Sequence, residues 1–234
     1  MRVIERPSPN FGPRRGGARP DMVVLHYTAM GSAEAALERL CDTQAEVSAH
    51  WLIARDGRLF RLVPEEARAW HAGAGAWGQV RDVNSRSIGI EIDNDGQSPF
   101  AAPAMATLEA LLAEIMQRWA IRPERVIGHA DMAPGRKPDP GPRFDWLRLA
   151  RAGLSVWPAP GREPRAADEG AFLAAARAFG YRAPEGCDDP AGLILRVFRA
   201  RFRPFARGPL SPADMAAIAD LAARFPVDRD APAS

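Results

Sequence analysis

The run from Met22 to Tyr27 constrains this chain more than any other segment. Pro20-Asp21 and Thr28 bound it, and it is too short for a buried helix, so it reads as a strand inside a sheet. It carries His26 near its far end. A second short strand, Val126 to Gly128, delivers His129 directly at its end, within Ile127-Gly128-His129-Ala130-Asp131. Strand ends are where α/β sheets collect functional groups. Asp139 follows in Lys137-Pro138-Asp139-Pro140-Gly141-Pro142, where the flanking prolines exclude a helix or a ladder.

The rest of the first 150 residues alternates between strands and helices. Ser32 can cap a helix over Ala33 to Leu40. His50 to Ala54, Asp56-Gly57 and Leu59 to Val63 form a hairpin whose turn favours positive φ. In Ser87 to Ile92 the residues Ile88, Ile90 and Ile92 share one side, leaving Gly89 and Glu91 on the other. Thr107 to Trp119 has helical apolar spacing and should cover one face of the sheet. Phe144 to Ala150 reads as a closing helix. Trp157-Pro158-Ala159-Pro160-Gly161-Arg162-Glu163-Pro164 then breaks the pattern as a linker would. Beyond it lie three helical patches: Glu169 to Phe179, Pro190 to Phe202 and Ser211 to Arg224. The expected fold is therefore α/β, a central mixed β-sheet flanked by helices, with a small C-terminal all-α three-helix bundle. Its parts are residues 1–154, a Pro-rich linker at 155–165 and the bundle at 166–227, with a frayed tail after Pro226.

Two neutral imidazoles and one carboxylate suffice for a catalytic zinc site, with water in the open position. Such a site favours His26, His129 and Asp139 as ligands; the plain alternative for Asp139 is a turn residue. Lys137, the sole lysine among 31 basic residues, sits two positions before Asp139. Its ammonium can stabilise negative charge on a carbonyl oxygen under attack, or can simply be solvated. Glu91 can orient the attacking water and carry its proton to the leaving amine, or can be a strand carboxylate paired with an arginine.

The motifs together resemble the zinc-dependent N-acetylmuramoyl-L-alanine amidases, a family that includes bacterial muropeptide amidases, T7-type lysozyme and the peptidoglycan recognition proteins. The matching residues are Leu25-His26-Tyr27-Thr28, Ser48-Ala49-His50-Trp51 with Arg55-Asp56-Gly57, and Trp70-His71-Ala72-Gly73. They continue with Asn84, Ser87-Ile88-Gly89-Ile90-Glu91, Gly128-His129-Ala130-Asp131 and the Lys137 to Pro142 segment, and Ser8-Pro9-Asn10-Phe11 adds a further likeness to the bacterial members. The resemblance covers roughly residues 8 to 150. It implies Zn2+ held by His26, His129 and Asp139, with Glu91 as acid/base and Lys137 as oxyanion stabiliser. It further implies His71, Trp70 and Asn84 as substrate-binding residues, with loop packing the alternative for His71 and Asn84 organising the loop before the Glu91 strand; His50 supports the sheet, and Trp70 and Trp77 either touch sugar or pack. The implied reaction is hydrolysis of the amide between the muramic acid lactyl group and L-Ala of the stem peptide. The absence of an export run points to (1,6-anhydro-)muropeptides in cell-wall recycling, and the appended bundle to intact peptidoglycan. A non-catalytic peptidoglycan- or muropeptide-binding module is the alternative on the same fold. The helical tail resembles, by pattern alone, a small peptidoglycan-binding bundle.

Charge and composition narrow the partners. A formal charge of +2 announces neither a nucleic-acid nor a membrane surface. The resemblance implies peptidoglycan fragments or muropeptides as partners, and a monomer is expected. Cys41 and Cys187 are expected to be reduced and unpaired. Residues 1–20 contain no apolar export run, which points to the cytoplasm, or to the periplasm if a signal is missing from this start.

Overall fold

The structure is a computed structural model that describes residues 2–159 and 161–228. In chain order its elements are β1 (Val3–Glu5), β2 (Phe11–Gly12), β3 (Met22–Tyr27), α1 (Ala33–Cys41), β4 (Trp51–Ile53), β5 (Leu59–Arg61), β6 (Arg68–Ala69), α2 (Val83–Arg86), β7 (Ser87–Ile92), α3 (Ala102–Trp119), β8 (Val126–Gly128), α4 (His129–Met132), α5 (Trp146–Arg151), α6 (Glu169–Phe179), α7 (Pro190–Phe202) and α8 (Pro212–Arg224). Six strands form one mixed sheet in the order β1-β5-β4-β7-β3-β8, and β2 pairs with β6 apart from it. Only the β4–β5 hairpin is antiparallel within the large sheet.

Alternation along the central strands sorts their side chains into two layers. Val23, Leu25, Ile88, Ile90, Ile92 and Val126 pack on one side with Leu108, Leu111, Leu112 and Ile115 of α3. That helix starts at Ala102, five residues before the expected Thr107, because Pro103 fits its first turn, where no N–H is needed. At α5 the start moves the other way. Asp145 accepts a hydrogen bond from the Arg148 N–H and caps the helix, so Phe144 lies outside it and packs in the core.

Met22, Val24 and Ile127 face the opposite layer, where they share one apolar cluster with Phe172, Phe179, Phe198, Phe202, Ile218 and Leu221. The three C-terminal helices thus close the second face of the sheet, and the core runs on across the Pro-rich segment. Pro160 of that segment lies outside the described residues. Val227 is buried and its N–H reaches the Ala178 carbonyl at 2.9 Å, so the chain stays packed past Pro226. The remainder of the expected frayed tail, residues 229–234, lies outside the described residues. Cys41 and Cys187 are free thiols. Among the described residues, no helix is long and apolar enough to cross a membrane.

Inside the bundle, Asp214 is fully buried and accepts from Arg199 at 2.6 Å, from Arg203 and from Ser211. Burial alone would raise its carboxyl, but the hydrogen bonds from Arg199 and Ser211 outweigh it and hold it at about 2, against an ordinary 3.8. A depressed folded-state value adds stability above the unfolded value, and that stability is lost as the pH falls through the folded one. Unfolding free energy is therefore expected to drop by about 2 kcal/mol between roughly pH 4 and pH 2 from this group alone. Urea titrations across that range should show a shallower slope in Asp214→Asn.

Candidate metal centre and active site

Strand register builds the site. β3 lies between β7 and β8, so the groups beyond their ends meet on one side. His26 pairs in register with Glu91, and Leu25 with Gly128, which puts His129 one step beyond the ladder at the same edge. The Asp139 loop is tied to the turn after β8 by a 2.8 Å bond from the Ala130 N–H to the Asp139 carbonyl.

Three potential ligand atoms converge. His26 Nδ1 and His129 Nδ1 are 2.9 Å apart, and each is 3.0 Å from Asp139 Oδ2. All three side chains are buried, and they form a cluster able to hold a metal ion. The outer hydrogen bonds fix which nitrogens are bare. His129 Nε2 lies 2.9 Å from the Ala72 carbonyl, which only accepts, so Nε2 carries the proton and Nδ1 is a lone pair. For His26 the argument runs through a chain. Ser87 Oγ donates to the Val83 carbonyl at 2.6 Å, so it accepts from His71 Nε2 at 3.2 Å. His71 Nδ1 then accepts from His26 Nε2 at 3.0 Å, leaving His26 Nδ1 unprotonated as well.

The electrostatics agree with neutral imidazoles beside an ionised carboxylate. Burial, with His129 adding to it, lowers His26 to about 4. Burial and the neighbouring histidines push His71 well below its ordinary value. For Asp139, burial pulls upward, but the two adjoining imidazole rings outweigh it and hold the carboxyl well below the usual range. Two bare imidazole nitrogens and a carboxylate oxygen are the donor set of a three-ligand zinc site with an open position, so the residues present fit that ion.

The open side of the cluster faces a cleft of about 620 Å³ that is also lined by Glu91, Lys137, Trp70, Met30 and Arg39. Glu91 Oε2 is buried without a hydrogen-bond partner. Burial, then the charge of Asp139, drives its carboxyl well above the ordinary value. Lys137 is exposed at the rim, and among the described residues its ammonium makes no hydrogen bond or ion pair. A larger cavity of about 800 Å³ lies between α5 and the end of α7 and contains none of these residues.

The remaining expected site residues fall in different places. Trp70 lines the cleft. His71 lines the cleft as well, beside His26, with both ring nitrogens engaged by His26 and Ser87. Asn84 is buried, and its Oδ1 accepts from the His71 and Ala72 N–H groups at 3.1 and 2.8 Å, which makes it a brace for that loop rather than a cleft residue. His50 accepts from the Gly89 N–H at 2.9 Å and faces the Ala67 carbonyl, holding β7. Trp77 is buried against Phe179 and Tyr181 and cannot touch sugar. Sequence reading missed Ser87, the end of the His26 chain, although its hydroxyl opens the Glu91 strand. It missed Arg14 as well, a buried guanidinium that donates to the carbonyls of Glu65, Asn84, Ser85 and Ser87. Gly89 is required by the His71 ring: a Cβ there would lie 2.4 Å from His71 Cγ.

The chain is similar to known proteins over most of its length. The family profile described as N-acetylmuramoyl-L-alanine amidase matches residues 16–142. N-acetylmuramoyl-L-alanine amidase AmiD of Escherichia coli K12 is 34% identical over 228 residues, spanning 86% of this chain and 82% of AmiD. The 1,6-anhydro-N-acetylmuramyl-L-alanine amidase AmpD of the same organism is 33% identical over 160 residues, spanning 61% of this chain and 87% of AmpD. Superposition on E. coli AmiD in complex with its substrate anhydro-N-acetylmuramic acid-L-Ala-D-γ-Glu-L-Lys gives a TM-score of 0.79 at 30% identity, over 92% of this chain and 98% of AmiD. On the family match, the shared fold and the extent of these alignments, the chain belongs to the N-acetylmuramoyl-L-alanine amidase family.

Proposed function

We propose that the chain cleaves the amide between the lactyl group of muramic acid and L-Ala in 1,6-anhydro-muropeptides, using zinc held by His26, His129 and Asp139. The observation that carries this reading is the convergence of three bare ligand atoms beside an unpartnered buried oxygen of Glu91, in one open cleft. The anhydro substrate is supported by what E. coli AmpD and AmiD are named for and bound to.

Held by His26, His129 and Asp139, a zinc ion would supply an acidified water, with a pKa near ~7, and a Lewis acid for the amide carbonyl. Glu91, whose carboxyl burial raises above its ordinary value, accepts the proton of the attacking water and passes it to the leaving amine of L-Ala. Lys137 supplies a positive charge to the oxygen on which negative charge develops. Trp70 and Met30 give the cleft apolar surface for the sugar and the first peptide residues.

Mass spectrometry of products from a 1,6-anhydro-muropeptide and, separately, from intact peptidoglycan tests this proposal. Release of free stem peptide from the small substrate, stopped by a chelator and restored by Zn2+, is the expected result. Release from the intact wall as well would widen the substrate class. No release from either would replace the hydrolase with a muropeptide-binding module of the same fold.

A further inference from the structure

The C-terminal helices reach the metal-bearing loops through one buried network. Asp131 lies two residues after His129 in the single turn α4, and its Oδ2 accepts the Gly128 N–H at 2.7 Å. The other partners of this carboxylate come from the bundle. Tyr181, just beyond α6, donates its hydroxyl to Oδ1 at 2.8 Å, and Arg201 of α7 donates Nη1 to Oδ2 at 2.6 Å. Arg201 Nη2 reaches the Val126 carbonyl at 3.0 Å and Ser155 Oγ at 3.2 Å. The guanidinium stacks 4.1 Å over the Trp146 ring. Asp131, Tyr181 and Arg201 are 2%, 2% and 3% exposed. Arg201 therefore grips β8 at its start and α4 by its carboxylate, with His129 between the two points.

The same helix backs the third ligand. Val197, Ala200 and Arg201 share one small void with Gly128, Asp131 and Pro140. A Cβ on Gly128 would lie 2.7 Å from Pro140 Cδ, so the residue before His129 is in contact with the residue after Asp139. A buried ion pair adds little stability over an apolar replacement. What it adds here is direction, through short charge-assisted hydrogen bonds to a carboxylate that caps the turn bearing a ligand.

We propose that Arg201 and Tyr181 are positioning residues that act through Asp131 to hold His129, and with it Asp139, in ligating geometry. On this view the bundle is part of the metal centre. The inference rests on the metal-site reading above and fails separately from it.

Zn2+ affinity of the full chain, measured by competition with a chromophoric chelator, is the test, with the visible spectrum of the Co2+-loaded protein reporting ligand geometry. Outer hydrogen-bond partners of metal ligands set affinity by about 10- to 100-fold. Tyr181→Phe should weaken binding about tenfold and Arg201→Met about 100-fold, with Arg201→Lys in between and the Co2+ bands shifted in each. Arg199→Met breaks the ion pair to Asp214 inside the bundle and serves as the control. It should lower the melting temperature while leaving Zn2+ affinity within about twofold of the parent. Unchanged affinity and spectrum in the Arg201 and Tyr181 variants would overturn the proposal, as would an equal loss in the Arg199 control. If Arg201→Met does not fold, Tyr181→Phe decides, since it removes a single hydroxyl. A parent that binds no zinc would overturn the metal reading itself, and this one with it.

Discussion

Asp139→Ala is expected to lose zinc and, with it, hydrolysis of the muropeptide. The substitution removes the only anion among three ligand atoms that meet within about 3 Å. Outer-shell changes already cost ~10–100-fold in metal affinity, so deleting a ligand should cost more than ~100-fold. Histidine variants at 26 or 129 should behave alike. Metal analysis and chelator competition check both parts. Stoichiometric zinc at parental affinity in Asp139→Ala would reject the assignment of the ligand.

Glu91→Gln should behave in the opposite manner, keeping zinc while losing ~10²–10⁴-fold in rate. The amide fills the same space on β7 but cannot take a proton from water. Lys137→Ala should cost at least ~10²-fold by removing a charge from the developing oxyanion. With no ionic or hydrogen-bonded partner among the described residues, that ammonium is not needed for the fold, and melting should be unchanged. Single-turnover rates on the zinc-loaded variants separate the two outcomes. Near-parental hydrolysis by both would leave the metal site standing and remove these two roles.

The site was more legible than its surroundings, for a physical reason. His26, His129 and Asp139 could be read because strand ends and proline-locked turns mark where a side chain must project, and because imidazole and carboxylate have few rival uses there. Glu91 was legible from the two-residue period of β7. The hydrogen bonds of His71 and Asn84 were not legible by motif, because what each ring nitrogen or amide oxygen bonds is decided by residues on other elements, such as Ser87 for His71. The start of α3 was missed because apolar spacing begins later than the helix does. The bundle showed apolar faces at helical spacing, but such a pattern does not say what covers the face. That the cover is Met22, Val24 and Ile127 of the sheet is a long-range fact with no local trace.

The pairing of His26 with Glu91 has a consequence for what variation the enzyme tolerates. The two residues are rungs of neighbouring strands, so the gap between them is the ~4.8 Å spacing of a ladder, not the outcome of side-chain packing. A shift of one residue in that pairing would turn Glu91 to the α3 side and present an isoleucine to the cluster of His26, His129 and Asp139. The ruler for the reaction is thus the backbone itself. Loops around the cleft can diverge without disturbing it, while the length of β7 between Ser87 and Ile92 cannot change by even one residue.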